Sequence, residues 1–132
     1  MLAPADAAAW ARRYARWALG AAFLSAVASR LGLWGGGSFD KFLAYTAEVL
    51  SFLPRAAIRP CALAATALEL SFGVALVGGI RVRAAALGSA ALLATFGASM
   101  AISFGLKSPL DYSVFSASAA ALLLAFAPTT PS

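Results

Sequence analysis

The residues of this chain that could do chemistry are few, and one of them sits where an acid is costly. Glu69 lies inside TALELSFGVALVGGI (66–80), a run otherwise apolar or small. Such an acid needs a partner, because an isolated charge in an apolar medium costs several kcal/mol. Arg30 is the natural counter-ion, a long side chain near the end of another apolar run. Ser99 and Ser103 form an i, i+4 pair on one helix face, and Asp111 and Tyr112 stand before a final apolar segment. Together Arg30, Glu69, Ser99, Ser103, Asp111 and Tyr112 make a candidate intramembrane polar cluster. Two readings are open: a pocket that binds a ligand, or a Glu69–Arg30 clamp with serines bonded to their own backbones. For Asp111, a helix-capping role competes with a place in the cluster.

The chemistry available to such a cluster is narrow. The chain has no histidine and one cysteine, Cys61. It therefore lacks the commonest metal and haem ligand, and it cannot form an internal disulfide. It has no Gly-rich phosphate loop either. No catalytic residue and no metal ligand set is assigned. A carboxylate held against an arginine can still exchange protons, or bind the carbonyl of a small hydrophobic molecule such as a quinone. Any redox centre would then lie in another chain.

The bulk composition says where these residues work. Of 132 residues, 62% are hydrophobic and 11% charged, against about 45–50% and about 25% in soluble domains. Mean hydropathy is +0.86. A soluble fold of this size leaves roughly a third of its unfolded surface exposed, too much to hide so many apolar residues. The expected solvent is lipid, and the length suits one domain, residues 1–132. The net charge of +5 comes from basic residues scattered along the chain. That favours anionic lipid head groups over nucleic acid.

Four apolar segments approach the roughly 20 residues a bilayer core needs. They are 16–34, 61–80, 83–105 and 112–127, with Trp17 and Trp34 as interfacial anchors of the first. Pro60 opens the second and Pro128 closes the fourth. A secretory signal peptide is a rival reading of the first, with Arg12, Arg13 and Arg16 before an apolar run and Ala26-Val27-Ala28 as cleavage site. The apolar run continues to Trp34, which favours a membrane helix.

Between the first two segments, Phe39, Phe42, Leu43, Thr46, Val49, Leu50 and Leu53 recur at helical spacing. Asp40, Lys41, Ala44, Glu48 and Ser51 lie off that face. This predicts an interfacial amphipathic helix over 38–53, stopped by Pro54. The expected fold is all-α, a four-transmembrane-helix bundle. Four spans put both termini on one side, but five basic residues fall on each side, so charge does not orient it. Small residues such as Gly73, Gly78, Gly88, Ala91, Gly97 and Ala98 allow close helix packing. They could serve the bundle itself, a homo-oligomer or another membrane subunit.

The stretch ALELSFGVALVGGIRVRAAALGSA around Glu69, and the tail KSPLDYSVFSASAAALLL, resemble DoxX-like (DoxD/DoxX) membrane proteins. There an acid early in the second span precedes a Gly-containing run, a basic turn and an Ala-rich third span. The resemblance implies four membrane helices in the bacterial cytoplasmic membrane, with termini inside. It also implies redox-linked or assembly roles, since relatives include a subunit of thiosulfate:quinone oxidoreductase and a maturation factor for methylamine dehydrogenase. A single cysteine sits poorly with members tied to thiol oxidation. The expected function is an accessory subunit of a quinone-linked membrane complex. The alternative is an assembly partner that binds other membrane helices. A small-solute transporter would require oligomerisation.

Overall fold

The structure, a computed structural model, describes residues 3–128. Among them the chain is all-helical, with no strand. The elements are α1 (Pro4–Arg30), α2 (Phe39–Val49), α3 (Arg55–Gly78), α4 (Val82–Phe104), α5 (Lys107–Asp111) and α6 (Val114–Phe126). Helices α3 and α4 are long and apolar enough to cross a membrane. The other two expected spans fall outside that measure. In α1, thirteen residues separate Arg16 from Arg30. The 13-residue α6 is only about 20 Å long.

Several boundaries differ from the sequence reading, each for a local reason. Helix α1 begins at Pro4, twelve residues before the expected 16, so Arg12, Arg13 and Arg16 lie within it. Proline suits the first helical position because it has no N–H to leave unpaired. The helix stops at Arg30 rather than Trp34, because Gly32, Gly35 and Gly36 all take positive φ, +71° to +74°. The chain turns back there, and Trp34 Nε1 donates to Ser25 Oγ at 3.0 Å.

Helix α2 is capped by Ser38, whose Oγ accepts from Lys41 N at 3.1 Å, and it ends at Val49 instead of 53. The seven residues expected on the apolar face, of which Leu50 and Leu53 follow the helix, are all buried or half-buried, and the five assigned to the other face are exposed. Helix α3 starts at Arg55 and runs through Pro60, which was expected to open it. Pro60 is the sixth residue, so the helix gives up one backbone bond near its start and continues.

Helices α1 and α3 pair closely, as do α4 and α6, and the two pairs pack on each other. Their shared core is Leu19, Phe23, Leu76, Leu124 and five alanines: Ala85, Ala86, Ala90, Ala121 and Ala125. Small cores bring backbones together. At the α1–α3 crossing, a Cβ on Gly20 would sit 2.6 Å from Val77 Cγ2 and 3.0 Å from the Gly73 carbonyl oxygen. Large apolar side chains meanwhile face outward, including Leu63, Leu70 and Val74 on α3, Ile102 on α4 and Leu123 on α6.

The crossing sets a testable asymmetry between glycines. Gly20→Ala forces contacts with backbone atoms and is expected to destabilise the fold by about 1–3 kcal/mol, outweighing the helix propensity it gains. Gly78→Ala meets nothing closer than 3.5 Å and should be neutral or mildly stabilising. Thermal unfolding of both variants in the same detergent checks this. Equal midpoints would contradict the close α1–α3 approach.

Candidate functional site

The end of α1 determines the site. Because the glycine run stops the helix at Arg30, this arginine lies at the edge of the bundle with its side chain turned along α3. Arg30 Nη1 donates to Thr66 Oγ1 at 3.1 Å and to Glu69 Oε2. The two charged side chains are 10% and 6% exposed, which makes this a buried ion pair. Thr66 in turn donates to the Ala62 carbonyl at 2.8 Å, so its one hydroxyl proton is used and its oxygen is held toward Arg30.

Helix α2 completes the arrangement. Its Phe42 ring lies under the Arg30 guanidinium, 3.6 Å from ring centroid to Cζ. A desolvated cation over an aromatic face gains on the order of 2 kcal/mol. The far end of α2 is tied down by α4: Ser103 Oγ donates to the Val49 carbonyl and shares a 3.2 Å hydrogen bond with Ser51. Arg30 thus touches α3 and α2 at once, and α4 holds α2 in place.

A cavity of about 230 Å³ opens over this pair. Arg30 and Glu69 form its polar floor. Its walls are aromatic and apolar, with Phe42, Tyr45 and Val49 from α2, and Leu93, Phe96 and Met100 from α4. Tyr112 and Val114 close the remaining side. Tyr112 is 73% exposed and stands at the mouth. Tyr45 stacks on Phe104, with centroids 6.2 Å apart. Burial, followed by the proximity of Tyr112 and Glu48, pushes its phenol above the ordinary value. Tyr45 is therefore a neutral hydroxyl donor at physiological pH.

Of the six candidate residues, the structure brings three to one cavity: Arg30, Glu69 and Tyr112. Ser99 is buried within α4 but is not part of the wall. Ser103 fastens α2 rather than facing the cavity. Asp111 is the clearest departure. It is the last residue of α5, exposed, and paired with Lys107 at 2.5 Å. An i, i+4 partner on its own short helix satisfies it, so it neither joins the cluster nor caps α6. Residue 113, which precedes α6, is a serine with φ of +56° and no side-chain cap.

The aromatic walls went unassigned in the sequence. Phe42 carried a signal, since it lies on the inward face of α2. Phe96 and Met100 share one face of α4 at i, i+4, yet α4 is apolar all round and gives no direction.

Comparison with protein-family models, curated proteins and solved structures returns no match. The site must therefore be read from its own geometry.

Removing one member of a buried pair strands the other charge, at a cost of about 3–5 kcal/mol. Glu69→Gln, which keeps shape and some hydrogen bonding, is expected at or below the low end of that range. Arg30→Leu should partly rescue it in the double variant. Denaturant unfolding of the two singles and the double gives the coupling, and additive effects would show that the pair contributes nothing as a pair.

Proposed function

We propose that this is a small integral membrane protein whose Arg30–Glu69 cavity binds the ring of a quinone-like molecule, in an accessory role to a redox complex. One observation carries the reading: a buried ion pair forms the floor of an aromatic-walled cavity, set between helix stretches that carry no other charge. Residues 84–104 and 113–128 contain no charge, and residues 60–80 contain only Glu69.

A lipid environment is supported by what faces outward. The exposed Leu, Ile and Val side chains of α3, α4 and α6 would be a large uncovered apolar surface in water. The three tryptophans and three tyrosines lie toward the two ends of the bundle: Trp10, Tyr14 and Trp17 at one, Trp34, Tyr45 and Tyr112 at the other. That is the placement of interfacial aromatic belts. In this reading α1 and α6 join α3 and α4 in crossing, giving four spans with both ends on one side. The arginines of α1 reach out to head groups, and local bilayer thinning accommodates the short α6. Helix α2 then lies at the interface and caps the cavity.

The fit to a quinone ring is one of size and donor set. A volume of about 230 Å³ is below the roughly 300–1,000 Å³ of drug-sized sites, so it suits one ring rather than an extended molecule. Phe42, Phe96 and Tyr112 offer flat faces. Arg30, with only Nη1 engaged by Thr66 and Glu69, and the Tyr45 and Tyr112 hydroxyls are donors for its carbonyls. Glu69 holds the arginine in place and is the nearest group able to exchange a proton with a reduced ring. The DoxX-like resemblance of the Glu69 segment is in keeping with this role, and with a place in the bacterial cytoplasmic membrane with both termini inside.

A second reading, an assembly partner for other membrane helices, is favoured by one feature. Ala91, Thr95 and Ala98 form an exposed small-residue line on α4. Three of the glycines are already consumed within the bundle. Gly73 packs on Leu24, Gly88 under Phe72 and Gly97 under Phe115.

Organic extraction of the purified protein in lipid nanodiscs, with benzoquinones and naphthoquinones quantified, tests the proposal. Near-stoichiometric quinone is expected for the wild type, with loss in a Glu69→Gln variant whose helicity is retained. No enrichment over protein-free nanodiscs would overturn the quinone reading. A single co-purifying membrane polypeptide without quinone would favour the assembly role.

A further inference from the structure

The opposite end of the bundle carries a second feature, independent of the Arg30 cavity. Arg12, Arg13 and Arg16 of α1 and Arg83 of α4 line one cavity of about 500 Å³, against the C-terminal end of α6. Arg83 is far in sequence from the three α1 arginines and meets them only through the fold. Three of the guanidiniums are oriented by aromatic rings. Arg13 lies 5.0 Å from the Trp10 centroid, Arg16 5.7 Å from Trp17, and Arg83 5.4 Å from Phe126. Among the described residues, none of these three arginines has an acid within ion-pair distance. Arg16 Nε is buried without a hydrogen-bond partner, which in a folded protein calls for an acceptor.

The charge census sharpens the contrast between ends. Arg12, Arg13, Arg16, Arg81 and Arg83 belong to this end, with Asp6 as the sole acid on the elements that form it. The other end balances its five cations against Asp40, Glu48, Glu69 and Asp111. The net positive charge of the chain is therefore concentrated around this cavity.

Beside it runs a groove between α1 and α6, of about 600 Å³, with walls of Ala8, Ala11, Ala15, Ala120 and Leu123. The groove and the arginine cavity share Arg12, Leu124, Phe126, Ala127 and Pro128. A cationic cavity that opens into an apolar groove matches an amphiphile with an anionic head. We propose that this end binds one anionic phospholipid, with the head-group phosphate against Arg13, Arg16 and Arg83 and an acyl chain along the α1–α6 groove. Guanidinium groups recognise phosphate through paired N–H donors, and basic clusters at this depth attract anionic head groups.

Native mass spectrometry of the full chain, released from detergent with added lipid, tests the site. One dioleoyl phosphatidylglycerol should remain bound under conditions that strip dioleoyl phosphatidylcholine. Arg16→Gln/Arg83→Gln should weaken that retention at least about tenfold. Arg55→Gln/Arg59→Gln, which removes the same charge from the other end, should leave it unchanged. Ala8→Trp, which narrows the groove without touching an arginine, should also reduce retention. Inorganic phosphate in millimolar excess should not displace the lipid. Equal loss in the two arginine doubles, equal retention of phosphatidylcholine, or indifference to Ala8→Trp would each overturn the proposal. Displacement by inorganic phosphate would do so too, leaving a free-anion site.

Discussion

The Arg30–Glu69 pair is the constraint on which the rest of this structure turns. A carboxylate in an apolar helix is costly unless an opposite charge reaches it, and here Arg30 of α1 supplies one. That requirement fixes where α1 ends, how closely it approaches α3 and what covers the junction. The glycine run at 32–37 stops α1 at Arg30. The Gly20–Gly73 crossing brings the two backbones close enough for the guanidinium to reach Glu69 one turn back. Phe42 then shields the exposed side of the cation, so α2 closes over the pair instead of floating free.

The same economy of polar groups separates the two ends of the bundle. At the Arg30 end, several polar side chains are committed to one another: Thr66 to Arg30, Ser25 to Trp34, Ser103 to Val49, Asp111 to Lys107. What remains there is an aromatic space with a charged floor, suited to a flat and mostly apolar guest. At the other end the cations outnumber the acids and lean on aromatic rings. Attraction of a negatively charged group is the natural outcome there, since a cluster of like charges repels itself until an anion joins it. In between, serines and threonines such as Ser71, Ser89 and Thr95 bond back to their own helices and need no partner.

Much of this was legible in the residues because few physical choices were open. The helical class follows from length and apolar composition, and the face of α2 from strict 3.6-residue spacing. The Glu69–Arg30 contact follows from two opposite charges at matching depth on neighbouring helices. What failed to show did so for equally physical reasons. The start of α1 at Pro4 was hidden because Ala-rich polar sequence has helix propensity without apolar periodicity. Asp111 looked like a helix cap, but Lys107 four residues earlier is a nearer partner than the backbone of α6. Ser99 shares a helix face with Ser103, yet only the latter meets α2. The arginine cavity was invisible because its members come from helices far apart in the chain.

The central claim is that Arg30 stays inside the bundle with Glu69 when the protein is in lipid, although its flexible side chain could snorkel outward. Solid-state NMR on protein in phosphatidylglycerol-containing bilayers, with arginine and glutamate isotopically labelled, measures this directly. The account predicts a strong dipolar coupling between the Arg30 guanidinium nitrogens and the Glu69 carboxyl carbon, and none between Arg30 and lipid phosphorus. A strong Arg30–phosphorus coupling with no Arg30–Glu69 contact would contradict it.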